Sequence, residues 1–235
     1  MSGEVEEFGQ RAKRRRARPP SEKSRASEER IYAAAATLFD RKGYAATSLQ
    51  DIADEASMVK GSLYYYIDSK DDLLVAITRR IHDQALLNLE RNRALDGDAR
   101  SRLEHFIEGH VVGPDGRGDD AMIPWIRVFY TEFRSLNGNR LEEIMDQRHT
   151  YERHLRGLID DAKDEGWACP VLDSKLATTA LLTMMNSVYM WYDRRRSAGL
   201  RAIADNLRHL AVQGLTCPPE HNHGTPSRIP RPTTP

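Results

Sequence analysis

Cysteine is nearly absent from this 235-residue chain: Cys169 and Cys217 are the only two, and neither stands in a metal-ligand spacing. Free thiols in a reducing cytoplasm are therefore expected. No apolar run approaches the roughly 18 residues of a membrane span, and the first residues lack the apolar stretch of a signal peptide. A cytoplasmic location with no membrane partner follows as the expectation. Net charge is also missing, since 35 basic residues balance 35 acidic ones. That does not exclude a nucleic-acid partner, which needs charge concentrated at the contact rather than in excess overall. Catalytic signatures are lacking too: there is no Gly-x-Ser-x-Gly elbow, no His-Glu-x-x-His and no nucleotide-binding glycine loop. The loop GPDGRGDD (113–120) lacks the lysine-serine ending of a phosphate loop and the glutamate of a calcium loop. No enzyme activity, catalytic residue, cofactor or metal site is expected.

What is present is helical periodicity almost throughout, which gives an all-α fold. The informative stretch is 47–70, TSLQDIADEASMVKGSLYYYIDSK. Leu49, Ile52, Ala53 and Ala56 fall at helical spacing, with Thr47 or Ser48 available as cap. Ser57 and Met58 interrupt, and a second helix over 59–66 buries Leu63. Two short helices joined this tightly form a helix-turn-helix, whose second member fits the DNA major groove. Lys60 puts a cation at the end of that helix where N–H groups favour phosphate. Gly61 permits close approach, and Ser62 can bond to a base edge or phosphate. Tyr64, Tyr65 and Tyr66 point about 100° apart, so at least one hydroxyl must be exposed.

The run GYAATSLQDIADEA…VKGSLYYYIDSKDDLL resembles the DNA-binding domain of the tetracycline-repressor (TetR) family of bacterial transcriptional regulators. The resemblance implies DNA contacts at Ser48, Lys60, Gly61, Ser62, Tyr64, Tyr65 and Lys70. Ser57 stands where a turn glycine is usual, Val59 where a capping serine is usual, and Ile67 where a phenylalanine is usual.

Around this unit, residues 1–26 carry almost no apolar side chains and read as a disordered arm. Its basic residues, Arg14, Arg15 and Arg16 among them, can follow phosphates or enter a narrow minor groove. The first helix is expected over 27–41, completing a three-helix DNA-binding domain over 27–70. Residues 71–216 read as a helical bundle for effector binding and dimerisation, and 217–235 as a disordered tail. Helices are expected over 69–93, 100–112, 124–136, 140–165, 174–195 and 200–215. The 174–195 segment is apolar nearly all round, which suits burial against the core on one side and a second subunit on the other. Trp125, Phe129, Phe133, Arg148, Met185, Asn186, Tyr189 and Trp191 are the candidate effector-binding residues. Methionines and aromatics at such spacing also make ordinary core.

VFYTEFRSL, QRHTYERHLRGLIDDAKDEGW and LLTMMNSVYMWYDRR resemble the C-terminal domain of a TetR subgroup that senses acyl-CoA thioesters. That resemblance implies Arg148 near the phosphates of the ligand, with Asn186, Trp191 and Tyr192 near its acyl part. The expected function is a homodimeric repressor, released from a palindromic double-stranded operator by a small-molecule effector. An effector-binding dimer without specific DNA binding and an acyl-thioester enzyme are the alternatives.

Overall fold

Ser21, rather than Ser27, begins the first helix. In the computed structural model its hydroxyl accepts the N–H of Ser24 at 3.3 Å, and α1 runs Glu22–Lys42. Residues 21–26 are thus the cap and first turn of a helix instead of the end of a disordered arm, because a capping serine followed by Glu22 suits the positive helix end. The structure describes residues 21–116, 118, 120–135, 139–195 and 198–217. Arg14, Arg15, Arg16 and the tail beyond Cys217 lie outside them.

Ser48 and Asp51 cap α2 (Leu49–Glu55) reciprocally. The turn after it passes through Ser57 at φ +54°, where glycine would be unstrained. Ser57→Gly is expected to raise stability by about 0.5–1 kcal/mol, the relief of left-handed strain exceeding the added freedom of the unfolded chain. A urea midpoint that stays put or falls would count against that strain. The following helix, α3, spans only Lys60–Leu63, against the 59–66 expected. Val59 offers no capping side chain, so one hydrogen-bonded turn forms before Tyr64 to Tyr66 continue as turns.

Ser69 and Asp72 form a second capping box that starts the long α4 (Lys70–Arg93). Asp98 caps α5 (Ala99–Val112). Pro124 sits in the first turn of α6 (Ile123–Glu132), which tightens into a 3-10 turn through Ser135 instead of continuing as α-helix. The bundle is completed by α7 (Asn139–Asp164), α8 (Ser174–Asn186), α9 (Val188–Trp191) and α10 (Leu200–Leu215). The helix expected over 174–195 is therefore broken at Ser187 and ends at Trp191. The Ser187 hydroxyl turns back to the Met184 carbonyl at 2.8 Å.

Two apolar cores result. One joins α1 to α4 around Ile31, Leu38, Ile52, Leu63 and Leu73, and it continues into Trp125, Val128 and Phe129 of α6. The other gathers the remaining helices around Phe106, Leu155 and Leu158. Because α6 lies along α1, the DNA-binding unit and the bundle share packing across residue 70.

The expectation of free thiols is overturned. The corner between α7 and α8 folds onto the end of α10, where the Cys169 N–H donates to the Leu215 carbonyl at 2.7 Å. That backbone contact brings the Cys169 and Cys217 Cα atoms to 4.8 Å, and the two sulfurs are bonded.

Candidate functional site

The candidate DNA-contact residues surround one buried side chain. Leu63 is fully enclosed, while Lys60, Gly61, Ser62, Tyr64 and Tyr65 are all exposed around it. Gly61 has ordinary helical backbone, and a Cβ there would meet no protein atom within 4 Å. The fold itself therefore does not demand glycine at this position.

Two further sequence candidates are held by local bonds. The Ser48 hydroxyl donates to Asp51 Oδ2 at 2.7 Å and accepts the Asp51 N–H at 3.1 Å. The Ser48 backbone N–H, its hydroxyl and Lys42 hold the Asp51 carboxyl down at about 2. Lys70 Nζ donates to the carbonyls of Tyr44, Thr47 and Ala45 at 2.8, 3.0 and 3.4 Å, and lies 4.3 Å from the centre of the Tyr44 ring. Its three protons thus fasten the loop before α2 to the first residue of α4.

The second site is a cavity of about 360 Å³ lined by α4 to α9 and by Leu200 at the start of α10. Phe129, Arg148, Met185, Asn186 and Tyr189 line it, and Tyr189 stacks on Tyr130 at 4.7 Å. Trp125, Phe133 and Trp191 do not line it. Trp125 belongs to the core under the DNA-binding unit, Phe133 packs against that core, and Trp191 is 51% exposed on the outside of the bundle.

A hydrogen-bond chain crosses the cavity wall. Asn88 Nδ2 donates to the Tyr151 oxygen at 2.9 Å, and Tyr151 faces His110 Nδ1 at 3.0 Å. His110 Nε2 lies 3.0 Å from Asn186 Oδ1, which also accepts from the Tyr130 hydroxyl. Burial pushes His110 down to about 4, so the ring is neutral at pH 7. With Asn186 accepting, the proton sits on Nε2 and the Tyr151 hydroxyl donates to Nδ1. From Asn88 through Tyr151 and His110 to Asn186 the donations then run in a single direction, and Tyr130 donates to Asn186 from the other side.

Sequence reading did not single out Asn88, His110, His82 or Tyr130 as lining. The available signal was positional: His82 and His110 each fall at helical spacing within an apolar stripe, after Ile77–Thr78 and after Phe106–Ile107. A second, shallower recess of about 440 Å³ is bordered by Arg93, Arg102 and Arg153. Arg102 is paired there with Asp161 at 3.0 Å, and Arg153 is bonded to Thr150 at 3.1 Å.

Comparison with known proteins places both halves. Residues 31–77 match the family described as bacterial regulatory proteins, tetR family, and residues 96–215 match the tetracyclin repressor-like C-terminal domain. The chain is 27% identical over 189 residues to the HTH-type transcriptional repressor KstR2 of Rhodococcus jostii (strain RHA1), covering 80% of this chain and 89% of that protein. A bacterial regulatory protein of the tetR family from Rhodococcus RHA1 superposes with a TM-score of 0.71 at 27% identity, over 85% of this chain and all (100%) of that one. AibR, solved in complex with isovaleryl coenzyme A and operator DNA, has the same fold, with a TM-score of 0.65 at 22% identity over 78% of this chain and 97% of that one.

Proposed function

The chain belongs to the tetracycline-repressor family of transcriptional regulators, and from that membership we propose a repressor that leaves a palindromic operator when an acyl-CoA thioester fills its cavity. Members of the family are DNA-binding regulators rather than enzymes; they act as dimers and respond to small molecules. Among the described residues, no helix is long and apolar enough to cross a membrane.

One observation carries the reading: a single helix, α4, joins the reading head to the cavity. It starts at Lys70, which holds the loop before α2, and further along it supplies His82 and Asn88 to the cavity lining. An effector that binds better to one setting of α4 than to another shifts the spacing of the two reading heads by its difference in affinity. The cavity suits an acyl group, with apolar walls and a polar chain on one side. In the related fold of AibR, isovaleryl coenzyme A and operator DNA are accommodated by that protein. A dimer face is offered by α8 and α10, where Leu176 is 69% and Leu210 is 57% exposed. Two such helices meeting their symmetry mates make a four-helix interface.

Selection of bound sequences from random DNA, followed by release with acyl-CoAs of graded length, tests the proposal. Equal retention of unrelated DNA sequences would leave only an effector-binding dimer. Lys60→Ala is expected to weaken operator binding about tenfold and to lower the salt dependence by about one counterion, with the dimer intact. Wild-type affinity in that variant would remove α3 from the reading head.

A further inference from the structure

The cavity holds a half-buried cation that no described residue neutralises. Arg148 projects from α7 among Phe129, Tyr130 and Phe133, 5.2 to 6.0 Å from their ring centres. Its Nη1 is buried without a hydrogen-bond partner. Among the described residues no carboxylate pairs with it; Glu152, one turn along α7, borders the same cavity without doing so. Ring contacts return only part of what the guanidinium loses by leaving water.

On α4, His82 is buried in the same lining, edge-on to Phe129 at 5.0 Å, and its Nε2 also lacks a partner. Burial first, and the charge of Arg148 second, push this ring down to about 4, so it is neutral. Native interiors leave few polar atoms unsatisfied; of the three on residues lining this cavity, the acceptor Asn88 Oδ1 lies against Gly109, and the two donors, Arg148 Nη1 and His82 Nε2, mark a place for a ligand atom.

We propose that the effector carries an anionic oxygen group that pairs with Arg148 inside the cavity, while His82 donates a second hydrogen bond to it from α4. This rests on the reading of the cavity as the effector site and narrows that reading to acidic ligands with an apolar body. The anion has two chemical sources: a carboxylate on the apolar body, or a phosphate of a coenzyme A thioester. In either case it ties α7 to the helix that begins at the reading head, so occupancy and the setting of α4 are linked.

Calorimetric titration of the full-length protein with octanoate, octanoyl-CoA and octanoyl-pantetheine tests this, the last probe having a thioester but no charge. Arg148→Met is expected to weaken the anionic probes by about 30-fold or more, to leave octanoyl-pantetheine unchanged, and to be largely rescued in Arg148→Lys. Loss on octanoate assigns the carboxylate; loss confined to octanoyl-CoA assigns the phosphate. Arg148→Gln gives the same readout should the methionine variant not fold. The proposal is overturned if the variants bind both anions as the wild type does, or lose the neutral probe to the same extent. Wild-type protein that takes only the neutral probe overturns it too, while leaving an acyl-binding cavity in place. Failure of all three probes overturns both readings together.

Discussion

Gly109→Ala is expected to cost this protein about 2–3 kcal/mol, although it adds one methyl group to a helix and improves helix propensity. A Cβ at Gly109 would lie 1.8 Å from Asn88 Oδ1, 2.7 Å from Cγ and 3.3 Å from Nδ2, so the whole amide has to move. Asn88 cannot swing into water, being 2% exposed. Its Nδ2 bonds to the Phe106 carbonyl at 3.2 Å and to Tyr151 at 2.9 Å. Displacing it breaks both bonds and leaves the Tyr151 oxygen without its donor in the interior, at about 1–3 kcal/mol, and removes the first member of the chain that runs through His110 to Asn186. Urea unfolding should show a lower midpoint with an unchanged slope. Combining the change with Asn88→Ala removes the collision, so the double variant should lose less than the sum of the singles. A single variant within about 0.5 kcal/mol of wild type would mean that the amide has somewhere else to go.

Arg127→Met is expected to cost about 3 kcal/mol and to loosen α9 selectively. Arg127 stands on α6 and reaches three places: Nε donates to the Tyr189 carbonyl at 2.7 Å, Nη2 to the Tyr192 carbonyl at 3.0 Å, and Nη1 to Asp40 of α1 at 3.2 Å. Hydrogen bonds to a charged group contribute about 1.5–3 kcal/mol apiece. Both members of the ion pair keep some exposure, 32% for Arg127 and 22% for Asp40, so the simple sum is discounted. Methionine keeps the apolar stem, which confines the loss to the polar contacts. Hydrogen exchange should quicken at Met190 and Tyr192, whose N–H groups donate to Ser187 and Val188, ahead of the helices around them. Uniform acceleration across the bundle would show that the arginine contributes bulk stability only. Selective loosening would place it as the strut between the cavity wall and the DNA-binding unit.

Much of the architecture is legible in local chemistry. Ser69 with Asp72 announces the start of α4, and the apolar stripe ending at Leu215 gives α10 its observed bounds. The helix-turn-helix follows from a few residues because its core is small and its exposed side chains are unlike those of an ordinary surface. Tertiary partners decided the rest. The break at Ser187 falls at the polar pair Asn186-Ser187, in a run whose apolar residues resume at once, and the Tyr189 and Tyr192 carbonyls beyond it are taken up by Arg127. Cys169 and Cys217 are 48 residues apart in the chain, and only the fold of the α7–α8 corner onto α10 reveals them as neighbours. In the cavity, aromatic residues proved a coarse guide: Trp125 and Trp191 have the right helical spacing but face elsewhere. The polar members, His82, Asn88 and His110, which the sequence reading passed over, are the finer guide, since a polar group within an apolar stripe needs a specific partner.

The bond between Cys169 and Cys217 bears on where the protein can yield. It staples the corner joining α7 and α8 to the foot of α10, beside the core that the reading head does not share. A guest that swells the interior finds that corner sewn shut. Under the proposed function the room would come from the wall made by α4, the helix that starts at Lys70.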